Sequence, residues 1–313
     1  MTFIILRRLL LSIPLLFVAS IITFVLQAFV PGDPARTLLG LNATPEQYQA
    51  LRESLHLNEP ILTQYWLYLS DALRGQFGTS IFTGEPVVDT IGQRLPVTLS
   101  LIVAATLVAT IIGVLFGVFS ATRGPVVRRL VDVSSLVGNA LPNFWVALVL
   151  VAIFAIGMGA FPATGYSDLA DSPSDWALSL VLPVIALSLG GIALVAKVTR
   201  DGMLTTLQLD HIRTLRASGV GRRSLIWKHS LRNSGIAVVT VIGLTLISFV
   251  SGSILIENVF ALPGLGTLIV TATNKHDVPV VQGLAITFTL IVIVTNLIVD
   301  VVYGLLNPKV RIR

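Results

Sequence analysis

The chain of 313 residues contains no cysteine and little charge. The missing thiols exclude disulfides, thiolate nucleophiles and thiolate metal ligands, and say little else about compartment. Only 12% of residues are Asp, Glu, Lys or Arg, against about 25% in soluble domains. Mean hydropathy is +0.87. Lysine is scarce too. Lys197, Lys228, Lys275 and Lys309 are the whole set, and none follows a glycine. A phosphate-binding loop with its Gly-Lys-Ser/Thr signature is therefore absent. The four histidines, His56, His211, His229 and His276, are isolated and lie outside the apolar runs, which rules out an intramembrane His-Glu-x-x-His metalloprotease. No ionisable residue stands at the centre of an apolar run; Asp132, Lys197, Asp201, Glu257 and Asp300 fall near the run ends. Proton-coupled carriers place such groups inside their spans, so that mechanism is disfavoured, whereas a sodium site built from carbonyls stays open. Asp168, Asp171 and Asp175 are scattered in one loop, where solvated acids are commoner than a metal site. No catalytic residue, cofactor or metal is expected.

What the chain has in abundance is long apolar runs. A helix needs about 20 apolar residues to cross a bilayer, and six windows qualify: 9–30, 96–122, 131–161, 177–199, 235–256 and 280–306. An all-α polytopic membrane protein follows, with both termini on one side. Arg36, Arg52, Arg74, Arg94 and Lys275 fall on one side of this topology and the other 16 of the 21 basic residues on the opposite side. Basic residues stay inside, so both termini are expected in the cytoplasm. The net charge of +5 results from sorting across a bilayer and is no sign of nucleic-acid binding. The first window is longer than a signal core, and Val30-Pro31-Gly32-Asp33 is a poor cleavage site, so it is expected to be an uncleaved anchor. Three regions result: an anchor at 1–30, an outer loop at 31–95 and a five-helix core at 96–313.

The outer loop is too long for a plain connector. Thr44-Pro45-Glu46-Gln47 reads as an N-cap, a proline at the first helical position and a capping-box glutamine, followed by Tyr48, Leu51 and Leu55 on one face. Pro60 starts a second predicted helix, with Ile61, Tyr65, Trp66, Leu69 and Leu73 on or near one side and Gly75 as its stop. A small helical cap is expected, serving as a brace or as a docking surface.

Within the third run, Pro142 is expected to kink the helix. Asn139 and Asn143 are expected one turn apart on one face, as helix glue or pathway lining. After the fifth run, Glu257 precedes Pro263-Gly264-Leu265-Gly266, and Asp277 follows; the Pro-Gly pair predicts a turn or re-entrant segment at the outer face.

The most informative stretch is 205–233, basic and punctuated by glycine between two apolar runs. Leu209, Ile212 and Leu215 recur at helical spacing, Asp210 can pair with Arg213 one turn on, and Gly219-Val220-Gly221 ends the helix. Leu225, Ile226 and Leu231 supply a second short helix with residues to bury. Such a helix–turn–helix outside the bilayer suits a docking surface. Arg213-Thr214-Leu215-Arg216-Ala217-Ser218-Gly219 resembles the EAA loop of ABC-importer permeases. The flanks, Asp210–Thr214 and His229–Asn233, are similar to the dipeptide/oligopeptide/nickel permease family, as are Pro31-Gly32-Asp33-Pro34, Leu57-Asn58-Glu59-Pro60, Pro142-Asn143-Phe144-Trp145, the Glu257–Gly266 and Asp277–Gly283 runs, and Tyr303-Gly304 with Asn307-Pro308. The chain departs from the broad EAA pattern at Leu215, where alanine is usual, and at 229–232, which lacks the usual proline.

The resemblance implies a permease subunit of a bacterial or archaeal plasma membrane. It implies a second homologous permease, two separate ATP-binding-cassette ATPase subunits and an extracytoplasmic solute-binding protein as partners. The coupling loop at 204–233 is implied to dock the ATPase through Asp210, Arg213, Thr214, Arg216, Ala217, Gly219 and Leu231, with lipid headgroups as the competing role for the arginines. Glu257, Pro263, Gly264, Gly266 and Asp277 become candidates at the outer face. Peptide is the expected cargo, ahead of nickel or another small solute and of an ATPase-independent carrier.

Overall fold

The computed structural model describes residues 2–29, 32–40 and 43–306. Pro31, Asn307 and Pro308, which carry part of the resemblance, lie outside these, as do Lys309, Arg311 and Arg313 and the side chain of Asn139. The described residues form no strand, only an isolated bridge between Thr79 and Pro86. The helices run α1 (Thr2–Ala28), α2 (Pro34–Leu39), α3 (Pro45–Ser54), α4 (Ile61–Ala72), α5 (Val87–Thr122), α6 (Pro125–Ala140), α7 (Asn143–Leu150), α8 (Pro173–Leu207), α9 (Asp210–Ala217), α10 (Arg222–Ser224), α11 (Leu231–Val259), α12 (Leu265–Lys275) and α13 (Val278–Leu306). Two π-helical stretches, Val151–Gly157 and Leu225–Ser230, continue α7 and join α10 to α11.

The all-α polytopic class stands, and the count of spans is refined. Among the described residues, four helical stretches are long and apolar enough to cross a membrane: α5, α8, α10 through α11, and most of α13. Pro125–Gly138 with Asn143–Gly157 makes a fifth if the bent pair is one span. The apolar part of α1, Leu10–Leu26, is shorter than these four. The bent pair corrects the expectation at Pro142. Its two arms meet at 96°, which is a break and not a kink. Leu141 is extended, with φ −76° and ψ 126°, because the proline ring disfavours helical geometry in the residue before it. Asn139 and Asn143 therefore lie on different helices and do not share a helical face.

The chain divides into two compact units, Thr98–Leu262 with the residues from Val294 on, and Thr2–Val97 with Pro263–Ile293. In the first, α8 packs mainly on α11 and α6. Glycines allow the helices to approach. A Cβ on Gly113 of α5 would stand 2.8 Å from Val195 Cβ, and one on Gly117 would stand 2.7 Å from the Ala196 carbonyl oxygen, both on α8. A Cβ on Gly191 of α8 would meet Phe249 and Thr245 of α11 at 2.6 and 2.7 Å. Lipid tails are as apolar as leucine, so spans associate through close packing, and a Gly-x-x-x-Gly pair such as 113/117 supplies it.

In the second unit, Val87, Leu265, Val280 and Leu284 form a buried cluster joining the start of α5 to α12 and α13. The outer loop follows its sequence signals. Thr44 Oγ1 accepts from the Gln47 amide and the Gln47 side chain accepts from the Thr44 amide, which closes the capping box. Gly75 takes φ +77° just past α4. However, α3 and α4 bury none of their residues, so the expected apolar faces do not form a closed core. Instead α4 lies along α1, with Tyr65 bonded to Ser20 Oγ at 2.9 Å and edge-on to Phe17 and Phe24. A polar knot ties α2 to α3: Asp33 caps α2 and accepts from Tyr48 Oη at 2.6 Å and from the Arg52 guanidinium. Partial burial pushes the Asp33 carboxyl up; the bonds from Tyr48, Ala35 N–H and Arg36 N–H, together with the Arg52 charge, outweigh this and hold it below its usual 3.8.

Gly117→Ala drives a methyl into the Ala196 carbonyl, and overpacking of this kind costs about 1–3 kcal/mol. Gly92→Ala, with open space around it, should gain about 0.5–1 kcal/mol of helix stability; thermal unfolding in detergent should move in opposite directions for the two variants. Because the Asp33 pKa is depressed on folding, its contribution is complete above the unfolded value of 3.8 and is lost as pH falls through the lower folded value. Protection of the α2–α3 amides from hydrogen exchange should fall in that acid window, and Asp33→Asn should remove the pH dependence.

Candidate functional site

The segment from α9 to the start of α11 is built for presentation. Only Ile212 of α9 is buried, at 0% exposure, while Asp210, Arg213, Thr214, Arg216 and Ala217 are all exposed. Of the predicted apolar stripe, Ile212 anchors the helix, Leu215 is half-buried, and Leu209 remains 45% exposed. Asp210 and Arg213 pair at 3.3 Å on the exposed face; a surface pair of this kind contributes little. Thr214 Oγ1 donates to the Asp210 carbonyl at 3.1 Å, and Ser218 Oγ to the Thr214 carbonyl at 2.9 Å.

Gly219 closes the helix. Its amide donates to Arg216 O, and the Val220 amide donates to Leu215 O, each at 3.1 Å. This is the Schellman arrangement, which needs a left-handed residue at its turn. Gly219 has φ +81°, and a Cβ there would meet nothing within 4 Å. The glycine is required by its backbone angle and not by a close approach.

Both limbs of the segment are clamped. Thr206 and Ser234 hydroxyls meet at 3.3 Å between α8 and α11, and Ser230 Oγ reaches Met203 O at 3.5 Å. His211 Nε2 and Asn233 Nδ2 lie 3.1 Å apart and tie α9 to α11. Arg222 Nη2 donates to Thr122 O at 3.1 Å, which fastens α10 to the end of α5. Leu231 is half-buried against Val118, Ala121 and Met203; it seats the segment instead of lining its outer face. Nearby on α8, the buried Arg200 bridges Asp132 of α6 and its neighbour Asp201. Acids and bases near the run ends thus compensate one another. The spacing could not show these partners, since 22 to 100 residues separate the members of the clamps.

The other candidates separate into two groups. Asn143 opens α7 and lines a cavity of ≈ 320 Å³ with Gly138, Pro142, Gly190, Thr245 and Ser248. This places the amide among α6, α8 and α11, where it can bind a polar group or hold the helices together. At the outer signatures, Pro263 is exposed, while Gly264, at the N-cap of α12, and Gly266 are buried. Glu257 is fully buried and accepts from Thr98 Oγ1 at 2.7 Å. Asp277 is 4% exposed and accepts from Ser80 Oγ and the Ile81 amide. These two outer-face candidates serve as internal acceptors, each with the donors that a desolvated carboxylate needs. Among the described residues no group of three or more His, Asp or Glu can hold a metal.

Residues 1–102 match the family described as the N-terminal region of binding-protein-dependent transport system membrane components. The probable peptide ABC transporter permease protein y4tP of Sinorhizobium fredii is 38% identical over 98% of both chains. The oligopeptide transport system permease protein AppB of Bacillus subtilis is 36% identical, again over 98% of both, and the glutathione transport system permease protein GsiC of Escherichia coli is 36% identical over 99% of both. Residues 113–312, which include the whole clamped segment, match the binding-protein-dependent transport system inner membrane component, and the chain belongs to that family.

Proposed function

We propose that this chain is one permease subunit of an ATP-binding-cassette importer that carries peptides across the plasma membrane, energised by two separate ATPase subunits. The observation that carries the reading is the coupling segment: α9, with Ile212 buried, Leu215 half-buried and its other residues exposed, is held by the Gly219 turn and tied to α11 through His211 and Asn233, and α11 is joined to α8 through Ser234 and Thr206. An amphipathic helix of this kind fits a groove on a partner. Leu209 and Leu215 supply the remaining apolar contact, and Asp210, Arg213, Thr214, Arg216, Ala217 and Gly219 the polar and backbone contact. Closure of the ATPase pair pulls α9, and the clamps pass the displacement to α8 and α11, which line the Asn143 cavity. The absence of a phosphate-binding loop in this sequence is consistent with ATP hydrolysis in another polypeptide.

Peptide cargo is supported by the relatives named for peptide, oligopeptide and glutathione transport; nickel or another small solute is the alternative. The remaining partners in this reading are a second homologous permease completing the pathway and a solute-binding protein outside. For the binding protein, the exposed faces of α3 and α4 are better placed than the buried Glu257 and Asp277. The basic bias supports an orientation with both termini in the cytoplasm, and the family resemblance supports a bacterial or archaeal plasma membrane.

Purification from the native membrane in mild detergent should yield one similar permease and two ATPases with this chain. A transport-competent chain with no ATPase attached would sink the importer reading in favour of a carrier. Gly219→Val places a β-branched residue in the left-handed region at about 1–2 kcal/mol, enough to depopulate the turn roughly tenfold. Peptide uptake should drop on that scale while helix content by circular dichroism is unchanged, and Gly219→Asn should retain more uptake because asparagine tolerates this angle.

A further inference from the structure

The last turns of α5 and the later limb of the coupling segment, at Arg222, Ile226 and Trp227, enclose a groove of ≈ 640 Å³ that the transport reading leaves unused. Its floor is apolar. Phe116, Phe119 and Trp227 are 53%, 47% and 45% exposed, with Ile226 beside them. Its rim carries Arg123 and Arg222, and none of the lining residues is acidic. Arg123 stands over the Phe119 ring at 5.0 Å, and the bond from Arg222 to Thr122 O holds that guanidinium at the same end.

We propose that this groove binds an anionic phospholipid, with its phosphate on Arg123 and Arg222 and an acyl chain along Phe116, Phe119 and Trp227. Three observations select this occupant. The groove begins within the apolar run of α5 and ends where the run gives way to Arg123, which is headgroup depth. Two arginines at the rim give an anionic phosphate an electropositive seat, and their planar forked donors suit its oxygens. Trp227 has the amphipathic ring that favours a membrane–water interface. A helix from another subunit fits less well. It would bury both guanidiniums, at a desolvation cost, whereas a lipid phosphate pairs with them at the hydrated boundary. Arg222 is also the first residue of α10 and touches α5 through Thr122, so the bound lipid holds the coupling segment against its span. The proposal rests on the membrane reading and not on the identity of the cargo.

The test is native mass spectrometry of the complex, with its co-purifying subunits, extracted from vesicles of equal phosphatidylglycerol and phosphatidylcholine. The wild type should retain phosphatidylglycerol in preference, and Arg123→Gln and Arg222→Gln should each lower that preference about fivefold, since a basic residue at the surface contributes on the order of 1 kcal/mol to anionic-lipid binding. Phe116→Ala should reduce retention of both lipids. Equal retention by the wild type, or an unchanged preference in the double arginine variant, overturns the proposal; the wild-type comparison alone decides if the variants fail to assemble. Displacement of the lipid by inorganic phosphate would reduce the groove to a plain anion site. Efficient cross-linking of Phe116→Cys to another subunit in membranes would make it a protein interface. None of these readouts depends on transport, so a wrong cargo or an absent ATPase leaves the outcome legible.

Discussion

Close approach of α5, α8 and α11 at glycine is the contact on which the rest of this membrane core depends. Inside a bilayer there is no hydrophobic gain from bringing one apolar helix to another. Packing must come from backbones that come near enough for dense dispersion contact. Gly113, Gly117 and Gly191 provide that nearness, and the small hydroxyls of Thr206 and Ser234 continue it to the end of the spans. Bulk at these positions would separate the helices that carry the coupling segment, and the segment would lose its rigid support.

That support orders a short helix. α9 has 8 residues, too few to be stable in water by itself. Its order comes from Ile212 in the core, the Gly219 turn and the bond between His211 and Asn233. A force on α9 is then shared with α8 and α11 as one body. The exposed faces of α9 are left without internal work, as a docking surface needs. The groove beside Arg222 adds a way for the lipid boundary to affect the same element.

Charge is managed by the same economy. Arg200 is paired with Asp132 and Asp201, Glu257 accepts from Thr98, and Asp277 accepts from Ser80 and Ile81. These three groups, the ionisable side chains buried below a tenth of their surface among the described residues, each have a named partner. The exposed basic residues of the coupling segment are different: they remain in solvent, where they can meet an acidic partner or a lipid phosphate.

Local rules made part of this legible. The capping box at Thr44 and Gln47, the helix start after Pro60 and the stops at Gly75 and Gly219 all follow from neighbours within a few residues, and the structure places them as read; of the six apolar runs, four or five become spanning stretches among the described residues. The Gly-x-x-x-Gly spacing of Gly113 and Gly117 was equally available as a packing signal. Pro142 was visible as an interruption, but the 96° between its two arms was not, because a proline determines only the local backbone and the surrounding helices decide the angle. The burial of Glu257 and Asp277 was hidden for a related reason: their donors lie 159 and 197 residues away in sequence. Sequence alone thus determined the membrane class and the backbone chemistry of the Gly219 turn, since these depend on composition and local backbone sterics. Tertiary structure alone decided which acids are buried, which glycines touch another helix and which face of α9 is free, since those depend on partners that only folding brings together.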